Sequence, residues 1–205
     1  EIGNRQEALE YASEALPVAR ESGDRKMQGR ALDSLGNVQN YFGDKRNAIE
    51  YYEQALPLMR AAGDRAGEGH TLSDVAVAYS YTGDRRKALS LFNQAVEIFR
   101  ELQDRRMLAE VAGNIGMTYD NLGEYQRALE SHQGALALVR ELGHRADEAI
   151  TLNNVGTAYS GLGALQKALD AYTAALGINR SLGNRRSIAI NLNNIAWVHD
   201  NLGDR

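Results

Sequence analysis

The sequence predicts an all-α fold, an array of stacked antiparallel helix pairs with about ten helices in all. Three observations predict it. First, residues recur every 40 positions: Gly3, Gly43, Gly83, Gly123, Gly163 and Gly203 form one column, and Arg25, Arg65, Arg105, Arg145 and Arg185 another. Ala8, Ala48, Ala88, Ala128 and Ala168, and Ala15, Ala55, Ala95, Ala135 and Ala175, form two more. Second, each period holds two stretches with apolar residues spaced three and four apart, the signature of a buried helix face. Third, short Gly-Asp-Arg punctuation separates the stretches and leaves no room for a strand or a long loop.

The elements follow in order. A helix of the second type in each unit, here called B, is expected over about residues 4–22. Four two-helix units follow at about 24–62, 64–102, 104–142 and 144–182, and a helix of the first type, A, closes a single array over about 185–201. In the unit at 64–102, Leu72, Val75, Ala76 and Tyr79 mark the A face, and Ala88, Leu89, Phe92, Ala95, Val96 and Phe99 the B face. Between them Gly83 suits the left-handed position after a helix, and the Asp84 carboxylate can cap the next one. The small columns, Gly36, Ala76, Gly116, Gly156 and Ala196 on A and the alanines on B, let helix backbones approach closely. Tyr79, Tyr119 and Tyr159, and Tyr52, Phe92 and Tyr172, are read as core beside them. Pro17 and Pro57 fall inside B helices and predict a bend in the first two.

Composition narrows the function. The net charge of −4 supplies no field for nucleic acid or an anionic membrane, and no apolar run approaches the ~18 residues of a spanning helix. There are no cysteines, which excludes disulfides and thiolate metal sites and fits a cytoplasmic location. The four histidines, His70, His132, His144 and His199, fall in four different columns, so no metal site is expected. His132 stands where other units have an aromatic ring and reads as a hydrogen-bonded core histidine, and His144 stands where other units have a capping Asp. No phosphate loop, serine dyad or carboxylate pair stands out from its column, so neither an enzyme nor a cofactor is expected. Arg20, Arg60, Arg100, Arg140 and Arg180 end the B helices, where positive charge complements the helix dipole.

This pattern resembles the tetratricopeptide repeat. The second unit carries Leu32, Leu35-Gly36, Ala48, Tyr52 and Ala55, and the fourth Ala112, Ile115-Gly116, Tyr119, Ala128, His132 and Ala135. The 40-residue period looks like that of kinesin light chains, of the Leu-Gly-Asn-repeat adaptors and of bacterial signalling arrays; Leu35-Gly36-Asn37 is a literal Leu-Gly-Asn. The resemblance implies a right-handed solenoid that scaffolds protein interactions, its A helices lining a groove for a peptide or protein segment. The alternative it implies is a sensor or regulatory arm of a larger signalling protein, such as an ATPase switch, a protease or a transcription regulator.

Carried over by column, the groove residues are Asn37, Asp74, Asn114, Met117, Asp120, Ile150, Asn153, Asn154, Ile190, Asn193, Asn194 and Trp197. Asp33, Asp74, Glu110, Asp120 and Asp200 face one arginine, Arg30, so the partner is expected to be neutral or basic, and the acidic tails of chaperones are not expected to bind. Two readings of the asparagine ladder Asn114, Asn154 and Asn194 stand side by side: holding a peptide backbone, or tying neighbouring helices together. Trp197 is open in the same way, as an anchor for a partner or as core against a further helix. The opening Glu1-Ile2-Gly3-Asn4-Arg5 has the phase of Asn201-Leu202-Gly203-Asp204-Arg205, so the chain reads as a cut segment whose last A helix can stack head-to-tail on the first B helix of another copy.

Overall fold

The computed structural model describes residues 2–203, with side chains from 7 onward. Ten α-helices and no strand occur among them: α1 (Ile2–Glu21), α2 (Arg25–Tyr41), α3 (Lys45–Ala62), α4 (Arg65–Thr82), α5 (Arg85–Glu101), α6 (Arg105–Asp120), α7 (Tyr125–Glu141), α8 (Arg145–Gly161), α9 (Leu165–Ser181) and α10 (Arg185–Leu202). Even-numbered helices are the A type and odd-numbered the B type. The chain forms two compact units, Glu1–Gln103 and Asp104–Arg205. Within each unit every helix packs on the next in sequence, and the A–B pairs α2·α3, α4·α5, α6·α7 and α8·α9 pack most extensively.

Punctuation residues explain the helix ends. Asp44, Asp64, Asp84 and Asp104 each accept the amide three residues on, at Asn47, Gly67, Lys87 and Met107. Asp24 and Asn184 also cap, whereas Glu124, His144 and Ala164 make no capping bond. Glycines after the helices take the left-handed conformation that costs other residues about 1–2 kcal/mol. Between repeats the positions 23, 63, 143 and 183 are glycine at φ 66° to 71°, but position 103 is Gln103 at φ 54°. Neither Pro17 nor Pro57 ends its helix, although each lacks the amide that would bond the carbonyl one turn back.

Each A–B pair is set by a small residue on A lying over a ring on B. A Cβ built on Gly36 would lie 2.6 Å from the Tyr52 ring, on Gly116 2.4 Å from His132, and on Gly156 2.6 Å from Tyr172. The three rings are polar, and each reaches past the glycine to hydrogen-bond a side chain of the same A helix. Tyr52 Oη donates to Asn37 Oδ1 at 2.8 Å, His132 Nε2 meets Asp120 Oδ2 at 2.9 Å, and Tyr172 Oη lies 3.3 Å from Thr157 Oγ1. In α4 and α5 the same columns hold Ala76 and Phe92, both fully buried, where the ring has no polar tip to deliver. Tyr79, Tyr119 and Tyr159, expected in the core, are half buried: Tyr119 and Tyr159 pack against core residues, and a cation lies over each of the three rings. Lys87 Nζ lies 4.0 Å from the Tyr79 ring centroid and 2.5 Å from its hydroxyl, and Lys167 Nζ lies 5.6 Å from the Tyr159 centroid.

Two outcomes follow for stability. Gly116→Ala is expected to cost about 2–3 kcal/mol by driving a methyl into the His132 ring, whereas Gly134→Ala, on the next helix with open space around it, should gain up to about 1 kcal/mol; equal effects in a thermal melt would contradict this. Gln103→Gly should raise stability by about 1 kcal/mol by relieving the left-handed backbone, and a lowered Tm would show that Gln103 is not strained.

Candidate functional site

In the second unit, the A helices α6 and α8 enclose a cleft of about 310 Å3. Its inner surface is apolar, from buried Ala109 and Val139 together with Leu142. Met117 of α6 and Ile150 of α8 stand at the mouth, 44% and 58% exposed, and Asn114 and Asn154 complete the same wall pair. Four of the residues expected in the groove are thus brought to one place by the 40-residue register. Glu110 and Asp147 on the rim are acidic, Arg106 and His144 basic, and His144 Nδ1 lies 3.4 Å from Asp147.

The cleft has a local cause. In the α2–α4 and α8–α10 pairs, a side-chain rung joins a residue to the position 38 further on. Thr71 Oγ1 donates to Asp33 Oδ1 at 2.7 Å across α2 and α4. Asn191 Nδ2 donates to Asn153 Oδ1 at 3.0 Å across α8 and α10. Between α6 and α8 the corresponding pair is Gly113 and Thr151. Gly113 has no side chain to offer, and Thr151 turns back to bond the Asp147 carbonyl at 2.8 Å. A Cβ on Gly113 would meet nothing within 4 Å, so the space is open.

The remaining expected residues lie elsewhere on the A helices. In the first unit Asn37 bonds both Tyr52 and Asp33, and Asp74 is half buried nearby on α4. Burial pushes the Asp33 carboxyl above its ordinary value against the pull of Thr71, His70 and Asn37. Burial, then the Asp74 and Asp33 charges, push the Tyr52 phenol up, so it remains a donor to Asn37. In the second unit Asp120 is engaged by His132. The asparagines of α8 and α10 form a network: Asn153 Oδ1 accepts from Asn191 and from Asn194 at 2.9 Å, and buried Asn179 donates to Asn191 at 2.8 Å. The ladder therefore divides, with Asn194 tied to its neighbours and Asn114 and Asn154 facing the cleft. On α10, Asn193 is exposed, and Ile190, Leu192 and Trp197 are 47%, 44% and 52% exposed.

The sequence reading missed an ionic clasp at two of the turns between repeats. Glu68, 6% exposed, takes Arg60 on one carboxylate oxygen and Arg65 on the other, each at 2.6 Å. Glu148 does the same with Arg140, at 2.9 Å, and Arg145. The arginines at 60 and 140 thus bridge a turn as well as ending a helix. The available signal was a glutamate at 68 and 148, where the other units have Gln28, Leu108 and Ile188. Among the described residues no group of three His, Asp or Glu side chains is placed to hold a metal ion, and no helix is long and apolar enough to cross a membrane.

The tetratricopeptide repeat profile matches residues 1–61, 47–101 and 107–181. No curated protein matches the chain in sequence. Among solved structures, BtubC from P. vanneervenii is similar at 22% identity and a TM-score of 0.84, covering 98% of this chain and 85% of that one. The tetratricopeptide-like repeats of a putative kinesin light chain from Podosopora anserina match at 18% identity and 0.72, over 86% and 87%. A signal-transduction ATPase with numerous domains from Pyrococcus horikoshii, described as carrying a tetratricopeptide repeat sensor, matches at 18% and 0.85, over 95% of this chain and 30% of that one. At these identities the likeness is one of fold.

The Glu68 clasp carries a pH signature. Burial opposes its charge, but Arg60 and then Arg65 more than offset this and hold the carboxyl below its ordinary value of 4.5. A depressed folded-state value means that the clasp stabilises above pH 4.5 and that this contribution is lost as pH falls through the folded value. Glu68→Gln should lower stability at neutral pH by about 2 kcal/mol. It should also shrink the loss of Tm between about pH 5 and about pH 3; an unchanged acid loss would assign that loss to other carboxylates.

Proposed function

The chain belongs to the tetratricopeptide repeat family, and from that premise we propose that it is a protein-interaction module that holds an extended peptide or protein segment against its A helices. The observation that carries the reading is the cleft between α6 and α8, where two asparagine amides flank an apolar recess. An amide offers both a donor and an acceptor, so Asn114 and Asn154 can pair with a peptide backbone without reading its side chains. The acidic residues of the A helices, including Glu110 and Asp74, favour a neutral or basic partner over an acidic tail. The reading is of a binding array and not of an enzyme.

A sensor arm within a larger signalling protein is the second reading. It is supported by the match to under a third of the Pyrococcus horikoshii ATPase, whose description names a tetratricopeptide repeat sensor. The two readings share the binding surface and differ in whether the bound segment belongs to another chain.

Immobilised protein should capture its partner from cells of its source, and the double variant Asn114→Ala with Asn154→Ala should weaken capture about ten-fold or more, as expected for two lost hydrogen bonds of about 1 kcal/mol each. Its Tm should stay near that of the wild type. Asn194→Ala, which removes a bond to Asn153, should lower Tm. Full capture by the double variant would remove the two amides from the binding surface.

A further inference from the structure

We propose that a second copy of this chain docks head to tail on the first, its α1 seated on the open face of α10. The contact uses none of the residues of the α6–α8 cleft. The face of α10 is open by the standard of the molecule's own repeats. Leu32, Leu72 and Leu152 are 4%, 1% and 6% exposed, but Leu192 in the same column is 44% exposed. Gly36, Ala76, Gly116 and Gly156 are buried, but Ala196 is exposed. In the repeats this small column lies under the B helix that follows, as Gly36, Gly116 and Gly156 lie against the rings of α3, α7 and α9. Helix α1 shows the opposite half of the same contact. Ala55, Ala95, Ala135 and Ala175 are at most 1% exposed, whereas Ala15 in that column is exposed. Ala8 is half buried, although Ala48, Ala88, Ala128 and Ala168 are fully buried. Two different, complementary faces on one chain fit a heterologous contact that repeats from copy to copy.

Charge selects α1 as the occupant. Inside the chain, Arg65 at the start of α4 lies 2.5 Å from Glu101 at the end of α5, and Arg105 of α6 pairs with Glu141 of α7 in the same two columns. Arg185 starts α10 and Glu21 ends α1; they stand in those columns, and neither has an ion pair or side-chain hydrogen bond among the described residues. Lys26 lies 3.6 Å from Asp64, which begins the next repeat. Arg186 stands in the Lys26 column, and Asp24 of a docked copy in the Asp64 column. The two cations that open α10 thus meet Glu21 and Asp24 of the second copy. Arg20, Arg25 and Lys26 of that copy belong to columns that pair forward within their own chain, as Arg60 does with Glu68, Arg65 with Glu101 and Lys26 with Asp64. From residue 7 onward α1 carries Glu7, Glu10, Glu14 and Glu21 against Arg20, while α10 carries Arg185 and Arg186 against Asp200, so the two helices have opposite net charge. One part of the usual contact is missing. The column of Tyr52, Phe92, His132 and Tyr172 is Ala12 in α1, so no ring covers Ala196 and less apolar surface is buried than in a pair within the chain.

The test is analytical ultracentrifugation of the 205-residue chain. The mass should rise with concentration between about 10 μM and about 1 mM and should not stop at a dimer, because each added copy leaves one face free. Ala15→Arg and Ala196→Arg, at exposed positions on the two halves, should each abolish this growth at unchanged Tm. An equal mixture of the two variants should form dimers only, since each supplies the half that the other lacks. Arg185→Glu should weaken association about ten-fold, and adding Glu21→Arg to the same chain should restore it. Ala12→Tyr, which supplies a ring over Ala196, should strengthen association ten-fold or more. A chain that stays monomeric throughout, growth that survives both blocking variants or ends at a dimer, or two blocked variants that do not pair would overturn the proposal. So would an Arg185→Glu defect that Glu21→Arg leaves unchanged, which would give the face of α10 to some other helix.

Discussion

Everything else in each repeat is hung on the contact between a small residue of the A helix and a ring of the B helix. With no side chain at Gly36, Gly116 or Gly156, the ring of Tyr52, His132 or Tyr172 lies directly against the helix backbone. That contact sets how closely the pair packs. It also carries a buried ring's polar tip through to Asn37, Asp120 or Thr157, so the core contact places a hydrogen bond on the A helix. Where the ring is Phe92 no tip has to be delivered, and Ala76 replaces glycine. Packing and the polar pattern of the A helices are two results of one constraint.

A second layer of interactions decides which A helices stand closed against each other. The rung from Asp33 to Thr71 and the one from Asn153 to Asn191 use side chains to satisfy what would otherwise be half-buried polar groups between helices. Gly113 breaks the series and leaves a recess in its place. Two of the turns between repeats are fastened differently, by Glu68 and Glu148 each held by two arginines. Those carboxylates are nearly buried while the arginines stay about half exposed, so each clasp joins helices without placing all three of its charges in the interior.

Much of this was legible in the residues. The glycine and aspartate columns mark helix ends because a left-handed backbone and a capping carboxylate are local demands, met within four residues of the chain. The alanine and glycine columns mark close approaches between helices, legible because the same small residues recur at the fixed period. Tyr79 was less legible: an aromatic in a helix-period column looks like core, yet this ring is half exposed under Lys87, and only the neighbouring helix shows that.

By itself the sequence determined the repeat, the helix boundaries, the turn chemistry and the family, since each depends on residues close together in the chain or recurring at a fixed period. Only the tertiary structure decided what each asparagine faces. Asn114, Asn154 and Asn194 occupy one column and are identical in sequence terms, but Asn194 faces Asn153 while Asn114 and Asn154 face a cleft. The difference comes from what the adjacent A helix presents: an amide ready to accept a bond in one case, and the bare backbone of Gly113 in the other.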